Sequence, residues 1–264
     1  MIDLNCHILD GTGCGPESFA ESLEMCRLAG ESGVRTIVAT LRWQAVRVEP
    51  PLPFDEIDRK IERLRAETRD SLFFKSGFTF EFSSNLPELI NRYGTRVTIG
   101  GNRHLLVSLP STGVPAEAGD VWSALAQLGF FVVIAHPECN PMVRRSPTLL
   151  PEWSSQGVKF QLDAASLTGA YGREVRHFAV ECLKRFEEGI VVASNTKNAS
   201  ANPLKKARAE LVNLVGDRRT TKCVRGIPRA IIGDTVPQTN GGRRNVLREI
   251  SSLFRLVPSG QSAD

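Results

Sequence analysis

Two of the four histidines lie where side chains do chemistry. His7 closes the stretch "MIDLNCH", in which Asp3, Asn5 and His7 alternate and, on a strand, share one face. His136 follows the apolar run "FFVVIA", with Glu138 two residues on. Imidazole and carboxylate so placed hold a divalent metal or move a proton, although Asn5 is a poor metal ligand. Further polar groups sit at the ends of other apolar runs: Thr40 to Trp43 after "RTIV", Thr79 to Glu81 within "SLFFKSGFTFEF", and Ser108 in "HLLVSLP". Asp163 closes "VKFQLD", and Asn195 and Lys197 follow "IVVAS". His104, at a strand start, and His177, inside a helix, read as structural residues.

The elements that position these groups alternate along the whole chain. Apolar runs predict strands, and between them come amphipathic stretches. "GPESFAESLEMCRLAGESGV" carries Phe19, Leu23, Cys26 and Leu28 at helical spacing and is closed by Gly33; "FDEIDRKIERLRAETRD" carries Ile57, Ile61 and Leu64. Further helices are predicted in "DVWSALAQLG", near "TLLPEWSSQG", through "GREVRHFAVECLKRFEEG" and near "PLKKARAELVNLVG". Strands of continuous apolar character are buried on both faces, which predicts a parallel sheet. About seven such units predict an α/β fold closed into a distorted (β/α)7 barrel, with function at the strands' C-terminal ends. One domain is expected over 1–250 and a C-terminal tail over 251–264. From about Thr235 the sequence is turn-rich, then predicts one short helix before "PSGQSAD".

Composition narrows the classes. The 264 residues are 41% hydrophobic and 23% charged, an ordinary globular balance. A net charge of +4 with basic residues scattered, apart from Arg218-Arg219 and Arg243-Arg244, argues against nucleic acid. Six cysteines without a CxxC pair, and an N-terminus without a secretory pattern, predict free thiols in the cytoplasm. No apolar run approaches the ~20 residues that span a bilayer, so no direct membrane insertion is expected.

With these residues assembled, the chain resembles the bacterial manganese-dependent tyrosine-protein phosphatases of capsule and exopolysaccharide loci, in the polymerase-and-histidinol-phosphatase (PHP) superfamily. The resemblance runs from Met1 to about Asp234. It is carried by "MIDLNCHILDGTGCGPES", "SLEMCRLAGESGVRTIVAT", "VVIAHPE", "AASLTGAYGREVRHFAVECLKR", "IVVASNTKN" and "GIPRAII". It implies a TIM-like barrel whose mouth holds divalent metals that activate water against a phosphotyrosine phosphate. As partner it implies a tyrosine autokinase bearing phosphotyrosine, or a polysaccharide export protein.

Most ligand positions implied by the resemblance carry other residues. Its paired histidines fall on Asn5 and His7, and a loop aspartate falls on Gly13 or Cys14. A histidine falls on Arg42, and two glutamates fall on Thr79 and Ser108. The histidine of "IAHPE" is kept as His136, while an arginine after it is Cys139. The final aspartate and histidine are Asn195 and Lys197, and a nearby arginine is Asn202. Dications ~3.5–4 Å apart need bridging carboxylates. A lysine or arginine ~4 Å from one of them is repelled by several kcal/mol even at an effective dielectric of about 20.

The chain is therefore expected to be a degenerate phosphatase homologue with no catalytic residues of its own and no cofactor. The alternative is an active enzyme with manganese or another divalent metal on a reduced site of His7 and His136, joined by Glu81 and Asp163. Without metal, Arg42 and Lys197 make a cationic mouth that binds phosphotyrosine or another anion, unless both merely pair with neighbours such as Glu138. "CNPMVRRS" matches the C-x5-R-[ST] spacing of thiolate phosphatases, but Pro141 removes an amide from the cradle they need.

Overall fold

The computed structural model describes residues 1–233 except Asp70, Pro147 and Ala201. The expected last short helix and the 251–264 tail lie outside the described residues. Seven strands form one parallel sheet in sequence order: β1 (Ile2–Cys6), β2 (Thr36–Trp43), β3 (Phe73–Glu81), β4 (His104–Ser108), β5 (Phe131–Ala135), β6 (Lys159–Asp163) and β7 (Ile190–Ala193). Sequential parallel neighbours require a crossover each time, and helices supply it. These are α1 (Phe19–Glu31), α2 (Phe54–Thr68), α3 (Leu86–Tyr93), α4 (Ala118–Gln127), α5 (Pro141–Arg145), α6 (Leu149–Ser155), α7 (Ala164–Leu167) and α8 (Arg173–Arg185). After β7 come α9 (Leu204–Thr221), a π-helical turn (Lys222–Gly226) and α10 (Ile227–Ile231).

The sheet curls until β7 meets β1. Asn195 N–H donates to Asn5 O at 2.8 Å and His7 N–H to Thr196 O at 2.9 Å, so the barrel is nearly closed. Below that point the seam is made by a side chain: Asp3 Oδ1 accepts Ser194 N–H at 3.0 Å. The pairing of β1 with β2 slips by one residue between Asp3 and Cys6. This bulge breaks the alternation expected of Asp3, Asn5 and His7. Leu4 packs in the inner core, and Asn5 beside it also turns its amide inward, toward Thr40, Thr79 and Gln161.

Two apolar layers result. Alternate residues such as Val133 and Ala135 fill the lower barrel with Leu4, Val38, Leu106 and Val191, and Ile227 and Ile231 of α10 plug it from beneath. The opposite face of each strand packs under the helices, with Ile57, Ile61 and Leu64 of α2 buried as their spacing predicts. On α1 the buried stripe is Ser22, Met25, Cys26 and Ala29, while Phe19 and Leu23 are only partly covered. Ser18 caps this helix, its Oγ accepting Glu21 N–H at 3.2 Å.

Candidate functional site at the barrel mouth

Above the apolar plug the barrel interior turns polar. Asn5 Nδ2 donates to Gln161 Oε1 at 3.0 Å, and Gln161 Nε2 donates to Asp163 Oδ1 at 2.8 Å. Asn195 Nδ2 donates to Asp163 Oδ2 at 2.9 Å. Asn5 Oδ1 accepts the hydroxyls of Thr40 and Thr79 at 3.0 and 3.4 Å. Asn5 and Asp163 are both buried in this lattice with their hydrogen-bonding capacity engaged, as buried polar groups require. Asp163 therefore lies one layer below the mouth.

The mouth itself is a cavity of about 500 Å³ lined by His7, Arg42, Thr79, Glu81, Ser108, His136, Asn195 and Lys197, together with Ser111 and Thr112 of the loop after β4. Strand ends far apart in sequence thus converge as the barrel predicts. Two of these strands, β5 and β7, finish in residues with left-handed backbone, His136 at φ 38° and Asn195 at φ 51°. Such conformations cost roughly 1–3 kcal/mol each and are kept where the surroundings over-determine them. The carbonyls of Gln161 and Asn5 fix them by accepting their N–H groups, at 2.7 and 2.8 Å.

Glu81 is the only carboxylate among the described residues lining this cavity, and it is occupied. Arg42 Nε and Nη2 both donate to its Oε1, at 2.9 and 2.5 Å, and Ala45 N–H donates to its Oε2 at 3.2 Å. The pairing partner of Arg42 is thus Glu81 and not Glu138. Lys197 is exposed and has no ion pair among the described residues. His7 is buried and donates Nδ1–H to Thr40 O at 3.0 Å, which leaves Nε2 as an acceptor. Burial, and then the charge of Lys197, push its pKa down to about 4, so the ring is neutral at pH 7.

Glu138 lies under the mouth. Its Oε1 accepts Asp163 N–H at 2.8 Å and Ser166 Oγ–H at 2.7 Å, while Oε2 has no partner. Burial, reinforced by the nearby Asp163 charge, holds its carboxyl up at about 8. Cys139 fails as a nucleophile for two reasons. Burial raises its thiol to about 12, against what a thiolate needs. The amides of Met142 and Val143, which a phosphate cradle would use, already donate to Asn140 Oδ1 at 2.9 and 3.2 Å as the cap of α5.

Sequence comparison now settles the family. Residues 1–233 match the model for capsular polysaccharide synthesis proteins, CpsB/CapC. The chain belongs to the CpsB/CapC family. It is 29% identical over 202 residues to tyrosine-protein phosphatase YwqE of Bacillus subtilis (strain 168), covering 75% of this chain and 78% of YwqE. It is 27% identical over 188 residues to the putative tyrosine-protein phosphatase CapC of Staphylococcus aureus, covering 69% and 72% of the two chains. The fold superposes, with a TM-score of 0.78 at 23% identity, on a chain from the crystal structures of YwqE and Streptococcus pneumoniae CpsB, described as unique metal-dependent tyrosine phosphatases. That match covers 89% of this chain and 96% of the other. The expected barrel is therefore the fold, and the chain is a homologue of metal-dependent tyrosine phosphatases of capsule synthesis.

The mouth does not fit a metal cluster of that kind. Among the described residues the one group of three or more ligand-type side chains within reach of one another is Glu138, Cys139 and Asp163, below the mouth and not in it. Three of those four carboxylate oxygens accept protein hydrogen bonds already, and burial holds the carboxyl of Glu138 up at about 8, toward its protonated form. At the mouth two imidazoles remain, with one carboxylate neutralised by Arg42. Gln161 and the Ser111-Thr112 loop were not singled out from sequence. Gln161 had a signal, because it alternates with Asp163 in an otherwise apolar strand; the loop had none.

Proposed function

We propose that this CpsB/CapC member does not hydrolyse phosphate esters and instead holds a phosphotyrosine, or another phosphate-type anion, at its mouth without metal, in regulation of exopolysaccharide synthesis. The presence of a single carboxylate, already tied to a guanidinium, around a 500 Å³ cavity carries this reading. Lys197 supplies the fixed charge. Arg42 retains donors not used by Glu81, and hydroxyls of Ser111 and Thr112 and the His136 ring line the same space. Charge-assisted hydrogen bonds of this sort contribute about 1.5–3 kcal/mol each. The natural bearer of the anion is a phosphotyrosine tail on a cytoplasmic autokinase or export protein.

The experiment pairs elemental analysis of protein purified without chelator with a phosphotyrosyl-peptide hydrolysis assay in added manganese and a phosphotyrosine titration. The expected result is substoichiometric metal, no turnover and saturable binding that is lost in Lys197→Ala. Two or more manganese or iron ions per chain, with hydrolysis abolished by chelator, would overturn it.

A second reading rests on His7. An imidazole whose Nδ1–H is fixed by a backbone carbonyl presents Nε2 as a metal ligand does. It describes a reduced site of His7 and His136 retaining phosphatase activity, and the same metal analysis decides between the two.

A further inference from the structure

The opposite end of the barrel carries a larger cavity, of about 640 Å³, between the starts of β1, β2 and β3, the end of α2 and the π-turn and α10 that plug the barrel. Arg35, Arg65, Lys75, Arg225 and Arg229 line it, and among the described residues no carboxylate does. These cations arrive from four separate stretches of chain, so their convergence is a property of the fold. Arg65 is engaged by Glu62 and by Phe74 O, the latter at 2.8 Å. Among the described residues Arg35, Arg225 and Arg229 have no ion pair, and the buried Nε of Arg229 has no hydrogen-bond partner.

Gathering like charges around a recess is unfavourable unless something negative enters it, and a buried guanidinium N–H without an acceptor adds to the cost. Three unpaired guanidinium groups match phosphate oxygens bidentately, more than one phosphate can satisfy. The floor is apolar, with Ile2 and Leu72 buried, and Phe73 stands at the rim with 63% of its surface exposed. The volume falls within the range of small-molecule sites, about 300–1,000 Å³.

We propose that this cavity is a second anion site, distinct from the mouth, which takes a diphosphate group carried on an aromatic body, the chemistry of a nucleoside diphosphate. The arginines hold the diphosphate, and Phe73 offers its ring to the base.

The test is calorimetric titration of the full chain with ADP, inorganic pyrophosphate, adenosine and a poly-glutamate peptide. ADP is expected to bind more tightly than pyrophosphate, with adenosine and the peptide not binding. Arg35→Ala and Arg225→Ala, both at exposed positions that folding tolerates, are each expected to weaken ADP by about tenfold or more. Phe73→Ala is expected to bring ADP down to the affinity of pyrophosphate. Lys197→Ala at the mouth is expected to leave all of these affinities in place, which keeps this result separate from the fate of the phosphotyrosine reading. Three results would overturn the assignment: absence of ADP binding, binding lost in Lys197→Ala but kept in the arginine variants, or capture of the peptide in preference to ADP.

Discussion

Arg42 and Glu81 each remove the other from free chemistry, and substitution should release either one. Their pair is partly exposed, 56% and 31% by side chain, so it contributes only about 0–1 kcal/mol to stability. Glu81→Gln is therefore expected to leave the thermal midpoint nearly unchanged while strengthening phosphotyrosine binding by about threefold to fivefold, a gain of ~1 kcal/mol; weaker binding in that variant would show that the guanidinium does not face the anion. The charge deficit of the site was legible from residue types alone, since Thr79, Ser108, Asn195 and Lys197 are what they are in any fold. The pairing was not. Arg42 lies opposite Thr79 in the ladder, and Glu81 opposite Ser108, so their meeting depends on a register and a side-chain reach that sequence does not state.

Between residues and the whole lie the strand ends and the loops that hold them. Gly15 is the tightest of these joints: a Cβ there would sit 2.6 Å from His7 O and 2.7 Å from Leu9 O, and both are backbone atoms that cannot swing aside. Gly15→Ala is accordingly expected to destabilise by about 1–3 kcal/mol and to displace His7, read as a lowered unfolding midpoint together with a shifted imidazole resonance. A variant as stable as the parent would mean that the loop lifts freely. All seven strands and the long helices were legible, because continuous apolar runs and 3.6-residue spacing are strong local signals. The short helices α3, α5, α7 and α10 and the π-turn were not, since four to eight residues hold too few turns to show a period. The shared face of Asp3, Asn5 and His7 was misread for a related reason: a one-residue bulge leaves no mark in composition.

At the scale of the whole molecule, buried titratable groups set the pH response. The Glu138 carboxyl ionises near 4.5 when free and at about 8 in the folded chain, so between these values the folded state keeps a proton that the unfolded state has released. Stability must then fall as pH rises through that window. Asp3, raised by burial to about 6, and the buried His7 and His104, lowered to about 4, titrate across the lower part of this window with opposite signs, and they are common to the parent and to a Glu138 variant. Denaturant midpoints between pH 6.5 and 8 should therefore decline more steeply in the parent than in Glu138→Gln, which mimics the protonated acid; parallel slopes would place the proton elsewhere. The basic cavity beneath the barrel was invisible in sequence, where its arginines look scattered, because only the plug formed by α10 brings Arg225 and Arg229 to Arg35. The seam has a consequence of its own. The last join of the barrel hangs on one carboxylate, one hydroxyl and two peptide contacts, so β7 should peel from β1 before any other pair of strands parts, with Ser194 and Asn195 exchanging their amide hydrogens early. An anion seated between His7 and Lys197 would span that gap like a clasp, and occupancy of the mouth would then be read as slowed exchange along the whole closing edge.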